Sequence, residues 1–427
     1  MPKTPLTVTT ILRPLAALFL LACSGVLHAQ TRSFPTDQAG FLAAMTDFLV
    51  EADKKDGKEF MELQFTPVWN GGYYSDPQRV RIAEQANYLL KKRFTAFPQF
   101  RDYLVCVMAF AQRGRASAEL DTWLTSLEAL EETGRKKNTE DFLDMSTGLF
   151  RDMTLYQSAS TQWRGRGGDF TFAHDSVPKV VFQPMDLVVL AKRDSAVILG
   201  TSGIYYPMRE TWEGRGGKVT WERAGLKPTA TFAEWRGPYA IKLKGSSFEV
   251  DSVVFNDPYF ERSLMGKVSD KVLANVDEDN ASYPRFESYD RRLLIRDIVE
   301  GVDFEGGFSM RGARLQGYGT PDEPALLTFY RDKRPFIETS GLFYTIEPER
   351  VSAERVAVRI RLDGDSIFHP SVNLRFLRDQ RLLSLIKTDE GVSKGPFYDT
   401  FHQLDMYFEQ LTWKQGDPVV KLGSLQG

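Results

Sequence analysis

The sequence predicts an α+β protein whose two classes of element form separate domains. An N-terminal all-α bundle of about five helices precedes an all-β repetitive array, either a β-solenoid or a jelly-roll-like stack. Before residue 156 apolar residues recur with helical spacing, whereas later segments alternate apolar and polar residues between Gly, Pro and Asp. The 12% aromatic content also favours β structure. We therefore predict a signal peptide at residues 1–29, a helical domain at 30–156 and a β-repeat domain at 157–427.

The first 29 residues have the layout of a signal peptide. Two basic residues precede an apolar run at residues 15–21, which is too short to span a bilayer. A lipobox reading makes Cys23 a lipidated anchor, whereas cleavage after Ala29 releases a soluble chain that starts at Gln30. The second position fits the small-residue rule for cleavage. We expect an exported protein that is periplasmic, outer-membrane-associated or extracellular.

Charge and cysteine content narrow the partners and the sources of stability. The full chain has a formal net charge of −3, and its predicted leader contains basic but no acidic residues. The mature chain is therefore mildly acidic, which argues against a nucleic-acid partner. No later apolar run is long enough for a membrane span. Cys106 is the one cysteine after the leader and has apolar neighbours, so we expect it to be buried and unpaired.

Helical periodicity covers most of the sequence between the leader and residue 156. Pro77 suits the first turn of a helix, Pro98 breaks one, and Gly57 and Gly134 are expected to end two others. The connections are short, so an antiparallel bundle or a stack of helical hairpins is expected. The predicted helices are at residues 36–57, 76–97, 100–110, 117–134 and 138–153.

Short repeated tags run through the β region. Asp-Ser followed by Val, Ala or Ile occurs four times, and Thr201-Ser-Gly-Ile-Tyr205 is echoed by Thr339-Ser-Gly-Leu-Phe343. In a stack of similar coils each corner places a backbone-bonding side chain beside a branched apolar residue. We therefore predict that the tags mark equivalent corners. Strand-like patterns persist to residue 422, so we expect either continuation beyond the given chain or cover by another chain. The four tags begin at Asp175, Asp194, Asp251 and Asp365.

Two segments carry a resemblance to a known family. Phe248-Glu-Val-Asp-Ser-Val-Val-Phe255, followed by Leu264-Met-Gly-Lys-Val268, resembles the OstA-like β-jelly-roll repeats of lipopolysaccharide-transport proteins. Ser352-Ala-Glu-Arg-Val-Ala-Val358 looks similar, while the helical front has no counterpart in that family. The overall layout also resembles large uncharacterised envelope proteins of Gram-negative bacteria. The resemblance implies an envelope scaffold with an apolar groove for acyl chains, and it assigns no catalytic residue.

Three histidines follow the leader: His174, His369 and His402. If His369 and His402 met with Asp365 or Asp399, they would form a zinc site or a general base. Their spacing matches no tight metal motif, and Phe368-His369-Pro370 has the pattern of a turn whose imidazole bonds to the backbone. We therefore expect structural histidines, and we predict no catalytic, cofactor or metal residue.

Two further features have alternative interpretations. Trp212, Trp221 and Trp235 would stack on sugars if they were exposed on a β face, whereas buried they fill the core. The acidic segment 277–280 has carboxylates for Ca²⁺ but lacks the glycine and the distal Glu of an EF-hand loop, so a solvated turn is favoured. Serine-hydrolase and phosphate-loop motifs are absent from the sequence.

These observations favour a non-enzymatic, exported cell-envelope scaffold or binding protein. Its expected partner is another envelope protein or an envelope lipid, with no cofactor. The alternative is a secreted carbohydrate-binding or carbohydrate-cleaving β-helix protein, which requires the three tryptophans to be exposed beside paired carboxylates. The five candidate binding residues are Trp212, Trp221, Trp235, His369 and His402.

Overall fold

The computed structural model describes residues 33–115, 118–260, 262–273 and 282–424. Three features predicted from the sequence lie outside the described residues: the signal peptide with its two cleavage positions, the first residue of the predicted helix at 117–134, and the acidic segment 277–280. Contacts divide the chain into two compact units, Met1–Lys136 and Lys137–Gly427.

Helices come first along the chain and one large antiparallel β-sheet of 23 strands follows, which confirms the predicted order of helical and β regions. The helices are α1 (Gln38–Ala52), α2 (Lys54–Glu59), α3 (Thr66–Trp69), α4 (Asp76–Lys91), α5 (Arg101–Gln112), α6 (Ala118–Glu132) and α7 (Lys136–Asp152). Among the described residues, no helix combines the length and apolar character that crossing a membrane requires.

Helical structure continues past the point where the sequence predicted the first helix to end. Asp53 interrupts it with an extended backbone and caps α2, which runs through a π-helical turn at Phe60–Phe65 into α3. Gly57 lies inside α2 instead of ending a helix. A Cβ on this glycine would lie 2.5 Å from the carbonyl oxygen of Leu49, so glycine permits the close approach of α2 to α1. The prediction that Gly57 stops the helix was therefore wrong.

Aromatic rings fill the core of the first unit. Trp69 stacks on Phe65 and contacts Phe41, while its indole N–H donates to the carbonyl of Gln38. Cys106 lies fully buried on α5, as its apolar neighbours predicted. Burial of these side chains is the main favourable term that holds the helices together.

Strands account for nearly all regular structure of the second unit. Helix α7 covers one end of them through ring contacts of Phe142 and Phe150 with Phe172. The strands are β1 (Thr154–Gln157), β2 (Gln162–Arg166), β3 (Phe170–His174), β4 (Pro178–Ala191), β5 (Asp194–Tyr206), β6 (Thr211–Thr220), β7 (Phe232–Lys242), β8 (Ser247–Asn256), β9 (Leu264–Lys271), β10 (Arg285–Ser288), β11 (Leu293–Val299), β12 (Val302–Arg311), β13 (Arg314–Tyr318), β14 (Ala325–Arg331), β15 (Arg334–Gly341), β16 (Phe343–Ile346), β17 (Arg350–Arg361), β18 (Ser366–Leu377), β19 (Leu382–Ile386), β20 (Phe397–Asp399), β21 (Leu404–Met406), β22 (Gln410–Lys414) and β23 (Lys421–Gly423).

Three long strands, β12, β17 and β18, each take part in two sets of pairings. The N-terminal part of β12 pairs with β14, and its C-terminal part pairs with β10 and β13. In β17 the change comes at a bulge between Ala353 and Val356, where Arg355 has a left-handed φ of 56°. Strands that bend at such points connect two layers of one sheet.

The two layers pack face to face through aromatic side chains. The first, called the ten-strand layer, contains β9, β10, β13, β16, β19, β22 and β23 with one half each of β12, β17 and β18. The second contains β11, β14, β15, β20 and β21 with the other halves. Phe329 of β14 contacts Phe376 of β18 at a centroid distance of 5.2 Å, and Phe336 of β15 contacts Trp413 of β22 at 5.0 Å.

The Asp-Ser tags do not occupy equivalent positions. Asp175 lies in the turn between β3 and β4, whereas Asp194 and Asp365 lie at or beside the start of a strand. Asp251 lies within β8 at a bulge, where the next residue, Ser252, has φ 57°. The prediction that these tags mark one repeated corner was wrong, because a two-residue tag suits several kinds of turn.

The longer echo, in contrast, does occupy similar positions. Thr201 is buried and its hydroxyl lies 2.7 Å from the hydroxyl of Tyr239, while Thr339 is buried with its hydroxyl 3.1 Å from that of Tyr344. Each threonine lies on a strand that is paired on both sides. Both segments therefore place a threonine hydroxyl against a buried tyrosine.

Candidate functional site

The structure places the two candidate histidines in different environments on the β18–β20 side of the second layer. His369 is buried, and both ring nitrogens face the backbone: Nδ1 accepts from the N–H of Ser371, and Nε2 lies 3.1 Å from the carbonyl of Gly395. Burial lowers the pKa of His369. His402 instead pairs with Asp399 at 2.8 Å, and this hydrogen bond lowers the pKa of that carboxyl. Neither ring nitrogen of His369 is left to bind a metal.

Within residues 33–424, apart from the gaps given above, no group of three or more His, Cys, Asp or Glu side chains is arranged to hold a metal ion. His369 packs on the ring of Phe397 at 4.6 Å, which is a core contact. The zinc interpretation of the histidine pair therefore has no geometric support among the described residues, whereas His402 does contact one of the two expected aspartates, Asp399.

The candidate tryptophans lie in the core. Trp212 and Trp221 are fully buried and Trp235 is nearly so. The indole of Trp212 donates to Tyr239, Trp221 packs edge-on against Phe255, and Trp235 packs edge-on against Tyr239. The exposed aromatic row that the carbohydrate interpretation requires is therefore not formed by these three residues.

A site that the sequence analysis missed lies on the outward side of the ten-strand layer, called here the outer face. Register aligns one side chain from each of the ten strands in a continuous row. This outer row is polar or charged throughout: Lys267, Glu287, Ser309, Gln316, Thr345, Ser352, Arg375, Ser384, Thr412 and Lys421. Ten strands spaced by roughly 4.8 Å make the row about 43 Å long.

The neighbouring row projects to the opposite side of the same strands because side chains alternate along a β-strand. This inner row is entirely apolar, and eight of its nine members are buried: Val268, Phe286, Met310, Leu315, Ile346, Val351, Phe376, Leu383 and Trp413. The apolar row fixes the register, since a slip of one residue would expose it to water. The position of every outer-face side chain follows from this constraint.

Arginines form a second row on the outer face. Arg285 lies directly opposite Arg311, and Arg311 lies directly opposite Arg314. Arg350 follows on β17, with Glu347 in the preceding turn 2.6 Å from it. Side chains directly opposite each other have Cβ atoms about 4.5–5.5 Å apart, and like charges in this position destabilise a sheet. Three arginines in adjacent strands therefore oppose folding locally.

Two carboxylates offset only part of this positive charge. Glu287 lies 3.3 Å from Arg285 and 3.9 Å from Lys267, and Glu347 bridges Arg350 and Arg314. Among the described residues, Arg311, Arg375, Lys414 and Lys421 of this face have no carboxylate within ion-pair distance. The outer face is thus cationic although the whole chain is mildly acidic. A cationic surface attracts anions.

A groove of about 770 Å³ lies on the outer face where β16, β17, β18 and β19 meet. Its polar lining residues include Thr345, Ser352 and Arg375. Its apolar part includes Phe343, which is 62% exposed, and Leu342, which is 42% exposed. The bulge at Arg355 bends β17 beside the groove, and the side chain of Asn373 accepts the N–H of Arg355.

Comparisons of the chain with family models, with curated proteins and with solved structures give no match. The sequence signal for the outer face was the alternation of basic and apolar residues in the later strands, for example Arg375 between Leu374 and Phe376. That alternation identifies a strand but does not say which basic residues become neighbours.

Proposed function

We propose that this protein is a non-enzymatic, exported cell-envelope scaffold whose cationic outer face binds the phosphate groups of an anionic envelope lipid. The observation that carries the proposal is the run of Arg285, Arg311 and Arg314 in adjacent strands. A folded protein retains locally unfavourable charge pairs mainly where they serve function. Guanidinium groups are well suited to phosphate because they donate two parallel hydrogen bonds.

The finer fold predictions belong to the same proposal. We infer that the β region is a repetitive solenoid or jelly-roll-like stack and that the helices form an antiparallel bundle. Support for repetition comes from the Thr201–Tyr239 and Thr339–Tyr344 pairs, which recur at the two copies of the echo. Support for the bundle comes from Arg81 of α4, which bonds Asp121 and Glu128 of α6. The OstA-like resemblance and the periplasmic or outer-membrane location stay predictions.

Sedimentation with lipid vesicles tests the proposal. The protein is expected to bind vesicles that contain phosphatidylglycerol, to bind neutral phosphatidylcholine vesicles poorly, and to lose binding as salt rises. Each basic residue near an anionic surface contributes about 1 kcal/mol. The triple variant R285Q/R311Q/R314Q is therefore expected to lower the partition coefficient roughly a hundredfold.

A matched control distinguishes an effect of the arginine row from an effect of the protein's net charge. The variant R193Q/R236Q/R359Q removes three exposed arginines that lie elsewhere in the second unit and have no described carboxylate within ion-pair distance. It is expected to bind vesicles nearly as well as the wild type. Equal losses in both triple variants, or unchanged binding in R285Q/R311Q/R314Q, would contradict the proposal. Salt-sensitive capture of a protein instead of vesicles would assign the face to a protein partner.

A further inference from the structure

The groove beside Arg375 differs from the rest of the outer face because it combines exposed apolar side chains with a cation. Phe343 and Leu342 are large, and much of their surface meets water. Most exposed apolar residues need no explanation, but here two adjacent ones line a concavity together with Ile386. A groove of this size and composition is typical of a site for a small ligand.

The charges that line the groove single out Arg375. Arg350 is engaged by Glu347 at 2.6 Å, and Arg355 is engaged by Glu390 at 3.3 Å. No described carboxylate lies within ion-pair distance of Arg375, whose cross-strand neighbours are Ser352 and Ser384. The guanidinium of Arg375 can therefore donate hydrogen bonds to an anionic group of a ligand. Glu354 is the groove's own carboxylate, and it opposes the binding of an anion.

We propose that this groove binds a long-chain monocarboxylate, with its carboxylate on Arg375 and its hydrocarbon chain on Phe343, Leu342 and Ile386. The fork of one guanidinium matches a carboxylate in two parallel hydrogen bonds. Ser352, which lines the groove directly opposite Arg375, adds a hydroxyl donor, and Arg355 at the bulge lines the wall. This inference extends the proposed function from a surface to one ligand site, and it uses residues outside the arginine row.

Isothermal titration calorimetry of the full chain tests the proposal with laurate below its micelle concentration. Laurate is expected to bind. Acetate, which lacks the hydrocarbon chain, and dodecanol, which lacks the carboxylate, are each expected to bind at least tenfold more weakly. R375Q is expected to weaken laurate about tenfold or more and to leave dodecanol unchanged. F343S is expected to weaken laurate and dodecanol alike.

E354Q supplies a test of opposite sign, since removing the groove's carboxylate is expected to tighten laurate binding. R311Q is the matched control, because it removes an outer-face arginine that does not line this groove. The proposal fails if R375Q and R311Q weaken laurate equally, if E354Q weakens it, or if laurate does not bind. Tighter binding of dodecyl phosphate than of laurate would overturn the assignment of a carboxylate head group.

These results separate the two proposals. Vesicle binding that persists without laurate binding would leave the lipid-surface function standing and reject the groove. Laurate binding by R285Q/R311Q/R314Q, after that variant has lost vesicle binding, would support two separate sites on one face.

Discussion

Arg311 and Arg314 lie directly opposite each other at the tip of the β12–β13 hairpin, joined by Gly312 and Ala313. Arg285 lies on the other side of Arg311 in β10. The middle guanidinium therefore has a like charge in each neighbouring strand. The repulsion between these arginines lowers the stability of the sheet at the surface that we propose as the lipid-binding face.

The first prediction concerns Arg311. R311E places a carboxylate between two arginines, so the free energy of unfolding is expected to rise by about 0.5–1 kcal/mol while vesicle binding falls. Urea denaturation and vesicle sedimentation measure the two effects. R236E, at an exposed site of β7 that has no residue directly opposite it in the register, is the control and is expected to change neither strongly. A destabilised R311E that still binds vesicles would argue against a functional role for the arginine row.

The second prediction concerns Asp270, which is buried on β9. Arg223 donates to it at 2.8 Å, and also to Asp194 at 2.8 Å and to the carbonyl of Ser282 at 2.7 Å. Burial raises the pKa of Asp270 to about 6, against the opposing effect of Arg223. Because this value lies above the unfolded pKa of about 3.9, the contribution of Asp270 to stability grows as pH falls from about 6 and is lost as pH rises through 6.

Removing the guanidinium of Arg223 is expected to make the effect of Asp270 on the pH dependence of stability larger. R223M leaves Asp270 buried without its partner, so unfolding at neutral pH is expected to become easier by about 3–5 kcal/mol, with a smaller difference in mild acid. R166M, which breaks the exposed pair with Asp186 at 2.9 Å, is expected to change stability by less than about 1 kcal/mol. Urea titrations at several pH values give both numbers. A pH-independent loss in R223M would show that Asp270 is not the titrating group.

The third prediction compares the two threonine–tyrosine pairs. The hydroxyl of Tyr239 forms hydrogen bonds with both the hydroxyl of Thr201 and the indole N–H of Trp212. The hydroxyl of Tyr344 bonds only that of Thr339 among the described residues, and the Thr339 hydroxyl also donates to the carbonyl of Leu327 at 3.3 Å. Y239F leaves two buried groups with a lost partner and is expected to lower stability by about 1–3 kcal/mol. Y344F is expected to lower it by about 0.5–1.5 kcal/mol. The reverse order in urea denaturation would mean that these hydrogen bonds do not determine the stability of the two segments.

The fourth prediction concerns His369. Its Nδ1 accepts from Ser371, so protonation would replace an attraction with a clash of two N–H groups. Burial lowers the folded pKa below the unfolded value of about 6.5. The stability that this histidine contributes is therefore complete above pH ~6.5 and is lost as pH falls through the lower folded value. The stability gap between wild type and H369Q is expected to narrow in mild acid, and a constant gap would refute the assignment.

Local sequence patterns identified many elements because they report periodicity. The alternation of Val356, Val358 and Ile360 predicted a strand, and all three are buried on β17. The same patterns failed at Gly57, where glycine serves a close approach between helices instead of ending one. They also failed for the Asp-Ser tags, since one dipeptide satisfies several turn geometries.

The cationic outer face could not be predicted from the sequence, because local patterns do not show which strands become neighbours. Trp212, Trp221 and Trp235 are close together in the sequence, but alternation alone does not say which side of a strand faces water. Arg285 and Arg311 are far apart in sequence and become neighbours only through strand pairing. Pairing depends on contacts between strands, so no local window contains the information.

The sequence by itself determined the order of helices and strands, the burial of Cys106 and the mild acidity of the chain, because each depends on composition or on short-range spacing. The tertiary structure alone decided the cationic outer face and the groove at Arg375. The apolar row from Val268 to Trp413 must be shielded from water, and this requirement sets the register of ten strands. Once the register is set, the arginines on the opposite side have no freedom to separate.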